Sequence, residues 1–156
     1  MSKIIDVVEF EIGGALYALD IHLAREIVEM IPITPVPRAP PHIAGIINLR
    51  GEITNILNLN TLLDLPESTA REGQKIIVLV AESAGGSNVG IIVDNVHSVI
   101  QVSEDNIEQM DKSISDEAYV KGIIKFDDIN GEKKGRKDLI IWIDIQKILE
   151  DMVEIS

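Results

Sequence analysis

The stretch Gly45-Ile46-Ile47-Asn48-Leu49-Arg50-Gly51 decides how the rest of the chain is interpreted, because it places an arginine between two apolar runs. The second run, 52–59, is again rich in isoleucine and leucine. A buried guanidinium without a partner is costly, so Arg50 must reach water, a carboxylate or another protein. Gly51 follows it, and glycine is typical of a turn. We therefore predict two β-strands around Gly51, with Arg50 projecting from the turn.

Two interpretations of Arg50 follow from the residues alone. In the first, the guanidinium pairs inside the fold with a carboxylate, for which Glu26, Asp20 and Glu52 are the candidates. In the second, the guanidinium binds a partner protein. Glu26 carries the same ambiguity, because a carboxylate at its place also fits the solvated face of a helix.

The composition favours a β-rich protein. The chain has 156 residues, of which 46% are hydrophobic and only 3% aromatic. Isoleucine, valine and leucine make up most of the apolar mass, a mix that suits strands packed on both faces. This length predicts one domain, or two small lobes that share a core.

Charge and cysteine content narrow the function classes. The formal net charge is −12, from 14 basic and 26 acidic residues. This balance argues against binding to nucleic acid or to an anionic membrane, which requires a basic face. The chain has no cysteine, which fits a reducing compartment. Neither a signal peptide nor an apolar run of about 18 residues is visible. We therefore predict a cytoplasmic protein without direct membrane insertion.

Glycine-containing turns separate short apolar runs along the chain and predict further hairpins. The predicted strand pairs are 7–12 with 15–19, 76–80 with 89–93, and 119–126 with 139–143. The tip of the last pair contains the basic residues Lys133, Lys134, Arg136 and Lys137, which we interpret as a solvated surface.

Helical spacing appears in three places. Leu23, Ile27 and Met30 predict a short helix before the proline-rich connector 32–41, which is expected to be extended. A short helical turn is predicted through Leu62 and Leu63. A C-terminal helix is predicted with Asp144 as its cap and an apolar face made of Ile145, Ile148, Leu149 and Met152.

Parts of the sequence repeat. Residues 45–47 resemble 122–124, and residues 56–63 resemble 142–149. We therefore predict a duplication, with approximate lobes 5–66 and 75–152, strands that can be exchanged between them, and a polar linker 67–74. Strands this short favour closure into small barrels, which removes exposed edges. A groove between the lobes would be the natural place for a partner.

No catalytic or metal-binding pattern stands out. His22, His42 and His97 lack the spacing of a zinc site. The glycine-containing run 85–90 lacks the lysine and the following helix of a phosphate-binding loop. We therefore predict a protein that is not an enzyme and that uses no metal or cofactor.

Taken together, the motifs resemble the CheW-like domain family of bacterial chemotaxis. The matching elements lie between residues 7 and 149: 10–13 with 17–19, 25–27, 33–37, 45–51, 90–96, 122–123 and 143–144. Among them, the Asn-Leu-Arg-Gly element at 48–51 is the most specific. The resemblance implies a mainly β fold of two five-stranded β-barrel lobes, with short helices and a C-terminal helix, in a single CheW-like domain over 1–156.

The resemblance also implies a function and a set of contact residues. It implies a non-enzymatic scaffold that couples chemoreceptors to the histidine kinase CheA, and that is a monomer when alone. Its partners would be the regulatory domain of CheA and the cytoplasmic hairpin tip of the receptor. Receptor-binding residues in the inter-lobe groove would be Glu26, Asn48, Arg50, Val96 and Val99. Kinase-binding residues would be Gly45 and Glu108.

Some residues depart from the pattern of this family. Many relatives carry proline at the position of Asn55, and acidic or amide residues followed by arginine in the region of Asn58 and Asn60. These departures bear on the strand after the motif. A CheW-like paralogue serving another sensory array is one alternative, and a small-ligand-sensing β-barrel protein is another.

Overall fold

A computed structural model describes residues 3–63, 65, 73–80, 88–109, 111, 119–125 and 139–155, the last five of them by their backbone only. Within these ranges the chain forms the following strands: β1 (Ile4–Ile12), β2 (Ala15–Asp20), β3 (Ala24–Glu29), β4 (Ile43–Leu49), β5 (Glu52–Leu57), β6 (Lys75–Leu79), β7 (Val89–Val93), β8 (Asn95–Ser103), β9 (Ile107–Glu108), β10 (Val120–Ile124) and β11 (Ile140–Ile143). The helices are α1 (Leu59–Leu62) and α2 (Ile145–Ile155), with 3₁₀ turns at Ile21–Leu23 and Glu104–Asn106.

The strands form two sheets, which confirms the mainly β fold class. Sheet A has the order β8-β1-β2-β11-β10-β9, and sheet B has the order β3-β6-β7-β5-β4. Neighbouring strands are antiparallel except for β2 with β11 and β5 with β7, which are parallel. The two sheets thus have the same arrangement, with β9 as an additional edge strand in sheet A.

The expectation of two closed five-stranded barrels was wrong. Sheet A has six strands, and in neither sheet do the two edge strands pair with each other. In sheet B the chain crosses from β3 to the opposite edge through the proline-rich connector, where Thr34 bridges Ile46. Proline cannot donate to a ladder, so the connector cannot complete a closing strand. Each sheet is therefore curved but open. Its two edge strands follow each other along the chain and are joined by a connecting segment, not by a backbone ladder.

Each sheet combines strands from both halves of the sequence. Sheet A takes the hairpin β1–β2 from the first half and the other strands from the second half. Sheet B takes the hairpin β6–β7 from the second half and β3, β4 and β5 from the first half. The sheets therefore do not coincide with the segments 5–66 and 75–152, because strands are exchanged between them.

The equivalent placement of strands supports the sequence repeat. β4 and β5 occupy in sheet B the place that β10 and β11 occupy in sheet A, and both hairpins contain a bulge next to Gly45 or Gly122. The bridge of Thr34 to β4 corresponds to the pairing of β9 with β10. Each hairpin is followed by a helix, α1 or α2.

The predicted helix through Leu23, Ile27 and Met30 was also wrong. Only the 3₁₀ turn at Ile21–Leu23 is helical, and β3 follows it with regular alternation of more and less exposed residues. β3 pairs with β6 over most of its length. The ladder with β6 satisfies the backbone of β3, and this tertiary pairing outweighs the weak helical spacing.

Other local predictions are confirmed. The hairpin β1–β2 turns at Gly13 and Gly14, both with positive φ. α2 forms, and Asp144 Oδ1 accepts a hydrogen bond from Lys147 N at 3.1 Å. The basic tip at 133–137, and residues 67–72 of the linker, lie outside the described residues.

The described residues form three hydrophobic cores. One core lies on the inner face of each curved sheet: Val7, Ala18, Val102, Ile124, Ile140 and Trp142 in sheet A, and Ile47, Ile56, Ile76 and Val78 in sheet B. The third core joins the two sheets through residues that include Phe10, Ile12, Tyr17, Leu19, Leu57, Ile77, Leu79 and Ile91, together with Ile145, Ile148 and Leu149 of α2. Both faces of each sheet are therefore packed, which explains strands that read as continuous apolar runs.

Candidate partner-binding site

Arg50 lies in the tight turn between β4 and β5. Leu49 pairs with Glu52, so the loop contains only Arg50 and Gly51, and their φ angles are 50° and 88°. Two positive φ angles in a two-residue loop are typical of a type I′ turn, whose first position favours asparagine or glycine. The Asn48 side chain accepts a hydrogen bond from Gly51 N at 2.8 Å and stabilises the turn. The fold thus holds an arginine in a backbone conformation that this residue type rarely adopts.

Glu26 is the carboxylate that Arg50 meets. Glu26 Oε2 accepts a hydrogen bond from Arg50 Nη2, and Arg25 Nε lies 3.7 Å from the same oxygen. The other two candidate carboxylates have other partners: Glu52 accepts from Asn88 Nδ2 at 2.8 Å, and Asp20 accepts from Trp142 Nε1 at 2.6 Å. The intramolecular pairing expected in the first interpretation is therefore present.

The ion pair perturbs the titration of both groups. The hydrogen bond from Arg50 lowers the pKa of Glu26 below its ordinary value; partial desolvation opposes this shift, and the positive charges of Arg50 and Arg25 add to it. The hydrogen bond to Glu26, with the negative charge of that carboxylate, raises the pKa of Arg50. Both side chains are therefore charged at neutral pH.

The ion pair of Arg50 with Glu26 connects the two edges of sheet B. Glu26 lies on β3 and Arg50 follows β4, and these are the two edge strands of the sheet. The pair thus links edges that no backbone ladder joins. The Arg50 side chain is nevertheless 60% exposed. Because a guanidinium has five donors, Arg50 can hold Glu26 and still offer donors to a partner.

The predicted apolar contact residues lie on β8, the edge strand of sheet A. Val96 is half-buried and packs against the core between the sheets. Val99 is 55% exposed and pairs across strands with Val8. Val8 lies two residues before Phe10, which belongs to the core between the sheets. Val99 therefore extends the inter-sheet face to the surface. Val99 is therefore the accessible one of the two predicted apolar contact residues, whereas Val96 is largely committed to the core.

Sequence reasoning missed Ile27 as a potential contact residue. Ile27 lies on β3, is 41% exposed, and pairs across strands with Ile77 of the core between the sheets. β3 holds in sheet B the place that β8 holds in sheet A, so Ile27 and Val99 occupy equivalent edges. The sequence over 24–29 does not alternate between apolar and polar residues, so it contained no strand signal that could have identified Ile27.

The remaining predicted site residues lie in different surroundings. Gly45 is buried in β4, where a Cβ atom would come within 2.3 Å of Thr34 O. Glu108 is exposed on β9, at the edge of sheet A, and lies 3.2 Å from Lys125 Nζ. The structure thus brings Glu26, Asn48 and Arg50 together. Gly45 instead packs against the connector, and Glu108 lies at an edge of sheet A.

The described part of the chain contains neither a cluster of metal-ligating side chains nor a membrane-spanning helix. No group of three or more histidine, cysteine, aspartate or glutamate residues there has an arrangement that could hold a metal ion. In the same residues, no helix has the length and apolarity needed to cross a membrane.

Comparisons with known proteins agree on one family. The family model described as "CheW-like domain" matches residues 6–153, which include both sheets except for the first two residues of β1. This chain belongs to the CheW-like domain family. The resemblance inferred from the motifs is thereby confirmed.

Individual CheW proteins match over most of their length. The chemotaxis protein CheW of Treponema pallidum is 32% identical over 145 residues, which cover 91% of this chain and 80% of that protein. CheW of Thermotoga maritima is 31% identical over 150 residues, covering 96% and 91% respectively. The crystal structure of the scaffolding protein TtCheW from Thermoanaerobacter tengcongensis superposes with a TM-score of 0.76 at 32% identity, covering 94% of this chain and 88% of that one.

Proposed function

We propose that this chain is a non-enzymatic adaptor of a chemotaxis system, which couples the cytoplasmic tips of chemoreceptors to the histidine kinase CheA. Membership in the CheW-like family supports this function. The relatives that match most of the chain are chemotaxis proteins, and the matched crystal structure is that of a scaffolding protein. In this role the protein works in the cytoplasm and joins the membrane receptors only through its partners.

The exposed ion pair of Arg50 with Glu26 is the observation that carries the proposal. Its arginine is held on a short, hydrogen-bonded turn, and most of its side chain faces solvent. A guanidinium fixed in this way offers directed, charge-assisted hydrogen bonds to a partner. The exposed apolar residues Ile27 and Val99 offer burial to a partner helix. This combination suits a helical hairpin with apolar anchors and polar groups beside them.

An adaptor acts through geometry and effective concentration. It does not need to change a chemical bond, because holding kinase and receptor together raises the effective concentration of one near the other. The fixed orientation of both bound partners can then transmit a change in the receptor to the kinase. Arg50 contributes orientation, since a planar guanidinium restricts the geometry of its hydrogen bonds.

Titration calorimetry with two probes tests the proposal. The probes are the isolated CheA regulatory domain and a receptor cytoplasmic hairpin fragment, both from the same organism. We expect saturable one-to-one binding of each probe to the wild-type chain. Arg50→Ala should weaken binding of the receptor fragment by about tenfold or more while binding of the kinase domain persists.

Lys75→Ala is the matched control, because it removes another ion pair of sheet B, with Glu29 Oε2 at 3.0 Å, away from the turn. We expect this variant to bind the receptor fragment like the wild type. A folded wild-type chain that binds neither probe would refute the proposed function.

A further inference from the structure

Asp94 lies where the chain passes directly from sheet B to sheet A. β7 of sheet B ends at Val93 and β8 of sheet A begins at Asn95, so Asp94 is the whole connection between them. We infer that Asp94 is a positioning residue, which fixes the spacing between β8 and β3 and thereby the width of the groove in which the receptor hairpin is proposed to bind. The inference rests on the proposed function, because it concerns the geometry of that receptor site.

The side chain of Asp94 holds one group from each sheet. Asp94 Oδ2 accepts a hydrogen bond from Gly13 N at 2.7 Å, in the β1–β2 turn of sheet A. Asp94 Oδ1 accepts a hydrogen bond from Gln74 Nε2 at 3.2 Å, and Gln74 directly precedes β6 of sheet B. The backbone adds a further contact, because Asp94 N donates to Glu11 O at 2.8 Å. One carboxylate therefore links the two sheets.

Carboxylates in similar places bind within a single sheet. β2 of sheet A ends at Asp20, from which a 3₁₀ turn leads to β3 of sheet B, so Asp20 lies at the other crossing between the sheets. Asp20 Oδ1 accepts a hydrogen bond from Trp142 Nε1 at 2.6 Å, and both residues belong to sheet A. Glu11 Oε1 lies 3.1 Å from His97 Nε2, again within sheet A. The link made by Asp94 is therefore not a general consequence of lying at or near a crossing.

The link by Asp94 reaches the strands on both sides of the groove. β6 begins at Lys75, directly after Gln74, and Lys75 pairs across strands with Glu29 of β3. On the other side, β8 begins directly after Asp94 and carries the exposed Val99. The hydrogen bond from Gln74 to Asp94 thus connects the start of β8 with the end of β3 through the first residue of one strand.

The core between the sheets and this link have different physical effects. Burial of apolar surface is non-directional, so it opposes separation of the sheets more than a small shift of one against the other. A hydrogen bond to a carboxylate has a narrow range of distances and is stronger than a bond between neutral groups. A groove that is held at its width before binding avoids part of the ordering cost of binding. A receptor hairpin that contacts both β3 and β8 should therefore bind more tightly when Asp94 holds them.

Spin-label distance measurements on the free full-length chain test the effect of Asp94 on the spacing of the sheets. The chain has no cysteine, so pairs of cysteines can be introduced for labelling. Asn55→Cys on β5 with Ser98→Cys on β8 measures a distance between the sheets. Asn55→Cys with Glu29→Cys on β3 measures a distance within sheet B, and all three positions are exposed. We expect Asp94→Ala to broaden the first distribution and to leave the second unchanged.

Two further variants isolate the link. Gln74→Ala removes only its sheet B part and keeps the hydrogen bond of Asp94 to Gly13, so it provides the test if Asp94→Ala does not fold. Glu11→Ala is the matched control, because it removes a neighbouring carboxylate whose partner His97 lies in the same sheet. We expect a broader distribution between the sheets in Gln74→Ala and the wild-type distribution in Glu11→Ala.

Calorimetric titration with the receptor hairpin fragment tests the effect on binding, in parallel with thermal melts. We expect Asp94→Ala and Gln74→Ala to weaken binding by about fivefold or more, and Glu11→Ala by less than about twofold. The melts identify variants that are folded at the temperature of the titration.

The combined results separate spacing from other roles. Wild-type distances between the sheets in folded Asp94→Ala and Gln74→Ala would overturn the inference, and so would broader distances with wild-type receptor affinity. A broader distribution within sheet B would assign Asp94 to folding instead. The distance measurements need no partner. A wild-type chain that binds neither the receptor fragment nor the CheA domain would therefore refute the proposed function, while the distances would still decide whether Asp94 sets the spacing.

Discussion

Arg50 combines an unfavourable backbone conformation with a side chain to which the proposed function assigns partner contact. Its φ of 50° falls in the left-handed region, where an arginine side chain is crowded by the backbone. The Asn48 side chain and the hydrogen bond to Glu26 hold it there. Residues that keep unfavourable backbone angles are concentrated at functional sites. The unfavourable φ angle of Arg50 therefore agrees with the proposed contact role of its side chain.

Arg50→Asn tests this interpretation. Asparagine suits the first position of a type I′ turn, so we expect a melting temperature equal to or above that of the wild type. The variant cannot make the guanidinium pair, so receptor binding should fall as it does in Arg50→Ala. A large decrease in melting temperature would instead show that the ion pair is needed chiefly to hold sheet B together.

The lowered pKa of Glu26 predicts a pH dependence. Glu26 is charged more readily in the folded state, so the stabilisation by the pair is present above the ordinary pKa of about 4.5 and is lost as pH falls through the lowered value. The melting temperatures of wild type and Arg50→Gln should therefore converge as pH falls below 4.5. Thermal melts between neutral and acidic pH measure this, and a constant difference across the range would contradict it.

The residues of the site were only partly predictable. The position of Arg50 between apolar runs showed that its charge needs a partner, and Glu26 was one of three candidates. Choosing Glu26 requires knowing that β3 and β4 are opposite edges of one curved sheet. Local sequence contains no measure of that long-range proximity.

For single elements, turn chemistry was informative, whereas helical spacing was correct for α2 and misleading over residues 23–30. Gly13-Gly14 marked a tight hairpin, and Asp144 marked the start of α2. The spacing of Leu23 and Ile27 wrongly indicated a helix, because Ile27 lies in a strand that pairs with β6, whereas Leu23 ends the preceding 3₁₀ turn. Pairing partners decide between these states for a segment this short.

The two equivalent glycines allow a matched prediction about the connector. A methyl group on Gly45 would meet the backbone oxygen of Thr34 at 2.3 Å, whereas one on Gly122 would meet a methyl carbon of Ile107 at 2.7 Å. A side chain can rotate more easily than a hydrogen-bonded backbone can move. We expect Gly45→Ala to cost about 1–3 kcal/mol of unfolding free energy, and more than Gly122→Ala. Urea unfolding of both variants measures the difference, and an equal or smaller cost at Gly45 would contradict it.

At the scale of the whole molecule, the exchange of strands makes the two halves depend on each other. Neither half contains a complete sheet, because β1–β2 lie among strands of the second half and β6–β7 among strands of the first. The repeat was visible in the sequence as two similar stretches. The exchange of strands was not visible in the sequence, because apolar alternation indicates that a strand is packed but does not indicate which strand it pairs with.

This topology predicts that fragments cut within the linker do not fold separately. Fragments 1–70 and 71–156 should each lack the circular dichroism of folded strands, because each would leave sheet edges and apolar faces without cover. Mixing the fragments should restore the signal of the intact chain. A stable fold in either fragment alone would contradict the dependence of the halves on each other.

In the proposed function, one chain binds kinase and receptor at the same time, on separate surfaces. Sedimentation analysis of the chain with the CheA regulatory domain and the receptor hairpin fragment tests it most directly. For the wild-type chain we expect a ternary complex that contains one copy of each binding unit. For Arg50→Ala we expect the chain to retain the kinase domain and to lose the receptor fragment. Competition, in which the receptor fragment displaces the kinase domain from the wild-type chain, would contradict it.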